Sequence, residues 1–218
     1  MTDIILFDLD GTLTDPKEGI TSCVKYALES VGITETNEQI LMRFIGPPLV
    51  DSFMEFYGFN RRDALKLVAK YRERFSVKGI FENRLYDGVR DMLRELKACG
   101  YTVALATSKP RIFAKRICEK YEIAEYFDII SGSELDGTND YKHQVIEAIL
   151  TALNSPDRKR VVMVGDRRQD IDGAKQCKIR SIGVSFGYAE EGELERAGVD
   201  YIVNDIDELK ALLLGNKL

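Results

Sequence analysis

Cysteine and histidine are scarce in this chain. Four cysteines in 218 residues, Cys23, Cys99, Cys118 and Cys177, are too few and too scattered for a disulfide framework, and no C-x-x-C pair offers a thiolate metal site. Reduced, mostly packed thiols are the expectation. The one histidine, His143, is not expected to take a direct part in chemistry, and no G-x-S-x-G or P-loop sequence is present. A basic excess is missing as well. Lys and Arg number 31 against 36 Asp and Glu, a net charge of −5, which argues against general nucleic-acid binding. No apolar run approaches the roughly 20 residues that cross a bilayer. The start, Met1-Thr2-Asp3 and a short apolar stretch, lacks the basic region and small-residue cleavage site of a signal peptide. A cytoplasmic protein without membrane or nucleic-acid partners is expected, and nothing in the sequence speaks to its oligomeric state.

What is present is an ordinary globular composition, 44% hydrophobic and 31% charged, long enough to bury a core without disulfides. From about Tyr86 onward short apolar runs alternate with amphipathic stretches. Tyr101–Ala106, Phe127–Ile130, Val161–Val164, Ser181–Val184 and the shorter Tyr201–Val203 read as strands. Val89, Met92, Leu93 and Leu96, and again Ile146, Ile149, Leu150 and Leu153, carry helical spacing. Strands alternating with helices predict an α/β fold around a parallel sheet covered on both faces. Ile4–Phe7 is a further strand, set apart by a stretch with almost no strand signal. Ile20, Cys23, Val24, Ala27, Leu28 and Val31 mark a helix there, and Glu38–Phe44, Val50–Tyr57 and Arg62–Ser76 look like others. The expected organisation is a core of residues 1–14 and 83–218 with a helical lobe, 15–82, inserted beside an active-site loop and placed to act as a lid.

Chemistry-bearing residues gather where predicted strands end. Phe7-Asp8-Leu9-Asp10-Gly11-Thr12 sets two carboxylates two residues apart at the end of a buried strand, the edge of a parallel sheet where ligands bind. Residues i and i+2 of a strand point the same way, so Asp8 and Asp10 could converge on one point. A surface turn would explain Asp and Gly but not their place directly after four apolar residues. Two close carboxylates in a partly dry cleft repel unless a cation lies between them, and Mg²⁺, a taker of hard oxygen ligands, would relieve that. A second strand ends in Gly165-Asp166, and Asp170 follows in or near the first turn of the next helix, a spacing that lets both carboxylates face one ion. Thr107 and Ser108 follow a third strand and precede a helix that Pro110 could open; taken alone they read as an N-cap, otherwise as ligands for an anionic oxygen. Lys142, at the start of a helix, is by default a solvated side chain, and gains interest as the cation an anionic substrate would need.

Asp8-x-Asp10-Gly11-Thr12, Thr107-Ser108, Lys142 and Gly165-Asp166-x-x-x-Asp170 together resemble the four ordered motifs of the haloacid-dehalogenase-like hydrolases, and the resemblance covers the whole chain. It implies a Rossmann-like core with a small helical cap inserted after the first motif. It also implies phosphoryl transfer: Asp8 as nucleophile, Asp10 as general acid and then base, Lys142 and Thr107 with Ser108 on the phosphoryl oxygens. Mg²⁺ would be held by Asp8, the backbone carbonyl of Asp10, Asp166 and, directly or through water, Asp170. The dehalogenases of the family lack an aspartate at position 10, so that activity is not implied. The cap segment Arg43-Phe44-Ile45-Gly46-Pro47-Pro48-Leu49, with Gly79-Ile80-Phe81-Glu82, looks like that of the phosphoglycolate phosphatase and 5′-nucleotidase-like group, with Arg43 and Lys17 the cations to test for substrate contact. The expectation is a Mg²⁺-dependent phosphatase of small phosphomonoesters, a phosphomutase or inorganic pyrophosphatase of the same family being the alternatives.

Overall fold

The structure is a computed structural model that describes residues 3–215. In chain order its elements are β1 (Ile4–Phe7), β2 (Thr14–Asp15), α1 (Lys17–Glu29), α2 (Glu38–Met42), α3 (Leu49–Tyr57), α4 (Arg61–Phe75), β3 (Arg84–Leu85), α5 (Val89–Ala98), β4 (Thr102–Pro110), α6 (Arg111–Lys120), β5 (Ile129–Ser133), α7 (Lys142–Ala152), β6 (Val161–Gly165), α8 (Arg168–Gln176), β7 (Arg180–Val184), α9 (Glu193–Ala197), β8 (Tyr201–Val203) and α10 (Ile206–Leu214). The chain divides into two compact units, one of the residues up to Thr14 with those from Leu85 onward, the other of Asp15–Arg84. The two-residue strands β2 and β3 pair where the chain leaves the first unit and comes back.

In the first unit six strands pair in the order β5-β4-β1-β6-β7-β8, every neighbour parallel. The central strand β1 is buried throughout, as an unbroken apolar run between two parallel neighbours requires. Leu6, Ala104, Ala106, Val161 and Met163 pack with Val145, Ile146, Ile149 and Leu150 of α7 on one face. The alternate residues Ile5, Phe7, Val103, Leu105, Val162 and Val164 are also fully buried, so the other face is covered too. The α/β reading of the sequence holds. The chain runs from β1 outward through β4 and β5, then crosses to β6, β7 and β8 on the other side. That reversal opens a crevice at the carboxyl ends of β1, β4 and β6. Register brings the three ends level, with Phe7 opposite Leu105 on one side and Val164 on the other.

Two strands differ from expectation. β4 runs on to Pro110, so Thr107 and Ser108 lie in the strand and not at the mouth of a helix; the ladder to β5 slips between Ala106 and Pro110. β5 begins at Ile129, two residues late, because a 3₁₀ turn occupies Ala124–Tyr126.

The second unit is helical. In α1 the buried positions Ile20, Cys23, Val24, Ala27 and Leu28 repeat at three and four residues and face α4, whose Ala64, Leu67, Val68, Tyr71 and Phe75 answer them. Val31 falls beyond the helix end and is half exposed, so the stripe stops one step short of the expected one. Phe53 of α3 is sealed from solvent and meets Phe44 edge to face at 5.0 Å. Arg74 closes the unit with a bidentate pair to Glu82 at 2.7 and 3.0 Å. Among the described residues no helix is long and apolar enough to cross a membrane.

Truncating Phe53 to Ala removes a fully buried ring and should cost about 3–5 kcal/mol. The exposed Val77→Ala change should stay within about 0.5 kcal/mol. Urea unfolding followed by circular dichroism checks both; equal midpoints would contradict the assigned core.

Candidate active site

The loop after β1 is closed on itself. Leu9 and Leu13 are both fully buried, and the Leu9 carbonyl accepts from the N–H groups of Leu13 and Thr14, each at 2.9 Å. Gly11, at φ +82°, turns the chain there. The same glycine leaves space: a Cβ on it would lie 2.1 Å from Asp166 Oδ2. Asp8 continues the ladder, its N–H donating to the Val164 carbonyl at 2.9 Å, and so stands at the end of the central strand beside Asp166 at the end of β6. Asp8, Asp166 and Asp170 each offer a carboxylate oxygen within 4.8 Å of the others, a grouping that could hold a metal ion.

Asp8 and Asp10 do not share one partner. Lys142, the first residue of α7, is buried and carries its ammonium 2.8 Å from Asp8 Oδ1 and 2.7 Å from Asp170 Oδ1. Neither contact is aligned as a hydrogen bond; the aligned one is donated to the Ala106 carbonyl at 2.8 Å. Asp10 turns to a second lysine, Lys109, whose Nζ lies 2.7 Å from its Oδ2. Each carboxylate of the i, i+2 pair thus has its own lysine, and, beside burial, Asp8 still acts electrostatically on Asp10, raising its carboxyl.

Asp166 is gripped on both oxygens, Oδ1 accepting from the Thr12 hydroxyl at 3.4 Å and Oδ2 from the Tyr188 N–H at 2.7 Å. Asp170 Oδ2 accepts from the Arg167 N–H at 3.0 Å at the start of α8. Were all four buried carboxylates ionised, they would exceed the two ammonium groups beside them by two charges. Burial pushes the Asp166 carboxyl well up, and the neighbouring Asp170 and Asp8 push it further. Burial raises Asp170 to about 6 even though Lys142 pulls the other way. Asp10 is raised by burial against the pull of Lys109. Burial alone would lower the Lys142 ammonium, but Asp170 and Asp8 overcome it and hold it above the ordinary lysine range. Asp8 Oδ1, Asp10 Oδ1 and Asp170 Oδ1 are buried without an aligned hydrogen bond. A buried cluster of carboxylate oxygens, more of them than the ammonium groups beside them can balance when ionised, suits a divalent, oxygen-seeking cation.

The remaining expected residues are more dispersed. Thr107 is buried, and its hydroxyl accepts from the Lys109 N–H at 3.2 Å; the Ser108 carbonyl takes the Ser133 hydroxyl at 2.9 Å. His143 packs its ring against Tyr141, 6.2 Å between centroids. Arg43 belongs to the helical unit, where its guanidinium lies 4.2 Å over the Phe56 ring and 3.3 Å from Glu55. Lys17 pairs with Glu38 at 3.3 Å and lines a cavity of about 420 Å³ within that unit, with Thr21, Phe81 and Arg84. Sequence reasoning missed Lys109 and the segment after β7, where Tyr188 meets Asp166. A Cβ on Gly187 would lie 2.3 Å from the Cβ of Asp166. The available signal was position alone: Ser185-Phe186-Gly187-Tyr188 also follows a strand of the same sheet.

The pattern of the haloacid dehalogenase-like hydrolases matches residues 5–184. The chain belongs to that family. Over 96% of its length it is 43% identical to a 5′-nucleotidase of Pseudomonas aeruginosa, covering 94% of that protein. It is 33% identical to the tyrosine-protein kinase PtkA of Mycobacterium tuberculosis, over 96% of this chain and 72% of that one. The crystal structure of a predicted phosphatase from Clostridium acetobutylicum superposes with a TM-score of 0.96 at 44% identity, over 99% of both chains. More distant relatives, at 27% and 28% identity over 94% of this chain, are a phosphoglycolate phosphatase of Vibrio parahaemolyticus and a pyrophosphatase of Halalkalibacterium halodurans. This member of the haloacid dehalogenase-like hydrolases is an enzyme of the phosphatase kind.

Lys142→Met would leave Asp8 and Asp170 buried without their shared cation, at a cost of about 3–5 kcal/mol. A carboxyl raised in the folded state penalises folding when ionised, so the deficit is full above its folded pKa and fades as pH falls toward the ordinary 3.8. In metal-free protein the gap in Tm between wild type and variant should therefore be large at pH 8 and shrink by pH 5. A gap unchanged across that range would refute the role of charge.

Proposed function

We propose that this chain is a Mg²⁺-dependent phosphatase that hydrolyses small phosphomonoesters through an aspartyl phosphate on Asp8. The carrying observation is the end of the central strand, where Asp8, Asp166, Asp170 and Lys142 share one buried cluster. Mg²⁺ would be held by Asp8, Asp166 and Asp170 with the Asp10 carbonyl, and when bound would supply charge neutralisation for a phosphoryl group brought among carboxylates.

An Asp8 carboxylate oxygen attacks phosphorus, and the bond to the leaving oxygen breaks as Asp10 gives that oxygen its proton. Burial, which raises the Asp10 carboxyl, favours the protonated form this step needs. Asp10 then takes a proton from water, whose oxygen attacks phosphorus and breaks the bond to Asp8, releasing inorganic phosphate. Lys142 and Thr107, with Ser108, hold phosphoryl oxygens and offset their charge. The helical unit carries the choice of leaving group, with Arg43 and Lys17 as its candidate contacts. Identity of 43% to a 5′-nucleotidase, against 27% to a phosphoglycolate phosphatase, favours a 5′-nucleotide as substrate over 2-phosphoglycolate.

Asp8→Asn should reduce turnover of p-nitrophenyl phosphate by about a thousandfold or more. It should also abolish the phosphate adduct that intact mass spectrometry finds on acid-quenched wild type. Retained turnover would refute the nucleophile. Phosphate release from 5′-nucleotides, 2-phosphoglycolate and pyrophosphate, each with Mg²⁺ and after full chelation with EDTA, ranks the substrates. Undiminished activity in EDTA would refute the metal.

A further inference from the structure

Glu193 lies outside the four motifs in sequence, yet its carboxylate is engaged three times. Oε1 accepts from the Arg167 Nε–H at 3.0 Å and from the Arg168 N–H at 2.8 Å, and Oε2 accepts from the Glu190 N–H at 2.9 Å. Both members of the Arg167–Glu193 pair are nearly buried, at 8% and 11% side-chain exposure. Burial would push the Glu193 carboxyl up, but the two N–H groups and the Arg167 guanidinium hold it below the ordinary range, so the pair is charged at neutral pH. The carboxylate also sits at the first turn of α8, where unsatisfied backbone N–H groups favour an anion.

These contacts tie down both ends of one strip of chain. Arg167 follows Asp166 directly, and its own N–H donates to Asp170 at 3.0 Å. On the other side, the segment that Glu193 anchors carries Gly187, against the Asp166 side chain, and Tyr188, whose N–H donates to Asp166 at 2.7 Å. We propose that the Arg167–Glu193 pair is a positioning device for the metal centre, fixing the 187–193 segment and the start of α8 so that Asp166 and Asp170 present their carboxylates in one arrangement. This rests on the metal reading above. Glu193 touches neither ion nor substrate; it acts through Asp166 and Tyr188, as partners behind metal ligands do.

Mn²⁺, counted as free ion by electron paramagnetic resonance, titrates the site without turnover. Glu193→Ala should weaken Mn²⁺ binding about tenfold, the lower part of the range for such partners. Glu193→Gln and Arg167→Met should each weaken it less, and their double variant should fall short of the product of the two. Glu195→Ala, exposed on the same short helix, should leave it unchanged. Should Glu193→Ala fail to fold, the two milder variants carry the test. Mn²⁺ affinity within twofold of wild type in folded Glu193 variants, whatever their Tm, would overturn the positioning role. Wild type that binds no Mn²⁺ would overturn the metal reading itself.

Discussion

Repulsion among buried carboxylates is the constraint around which this protein is arranged. Two unit charges about 4 Å apart repel by about 4 kcal/mol at an effective dielectric constant near 20, and three aspartates meet within 4.8 Å at one edge of the sheet. The fold answers with several separate attractions. Lys142 stands between Asp8 and Asp170, the Tyr188 N–H takes one oxygen of Asp166, and the Arg167 N–H takes one of Asp170. Lys109 pairs with Asp10. What these leave over is negative, the property a site needs if it is to hold a cation and then admit a phosphoryl group.

Much of this was legible because the sheet is parallel. Each buried strand shows as an apolar run, and topology fixes that functional side chains follow the runs at one edge. Asp8 and Asp166 could therefore be assigned to the same edge before any register was known. Lys142 is harder to read: at a helix start its default is solvent, whereas its partners Asp8, Asp170 and the Ala106 carbonyl come from distant segments. Thr107 and Ser108 read as lying just past the strand because the apolar run ends at Ala106, whereas the backbone ladder continues to Pro110 through polar residues. The 187–193 segment left almost no mark. Its contributions are a glycine without a side chain and an N–H that every residue but proline has, and neither distinguishes one loop from another.

The insert follows the same logic from the other side. The 70 residues Asp15–Arg84 leave and rejoin the chain at the paired β2 and β3, outside the six-strand ladder. They bring their own core, built on the α1 and α4 stripes and on the Phe44–Phe53 contact. That independence is why the helical periodicity of the insert read cleanly, apart from its ragged ends at Val31 and Met42.

Glycine separates this acidic cluster from a chance one. A Cβ on Gly11 would strike Asp166 Oδ2, one on Gly187 the Asp166 side chain, and one on Gly165 would lie 2.2 Å from Asp170 Cγ. Three segments from different parts of the chain thus give up a side chain at the places two carboxylates must occupy. Solvated surface aspartates need no such clearance, since water yields to them. Space cut to the outline of particular carboxylates, with like charges inside it, is costly to the apo fold. It makes sense where the charge is completed by a bound cation and then used. The sequence encodes that design as much in where it omits side chains as in where it sets aspartates.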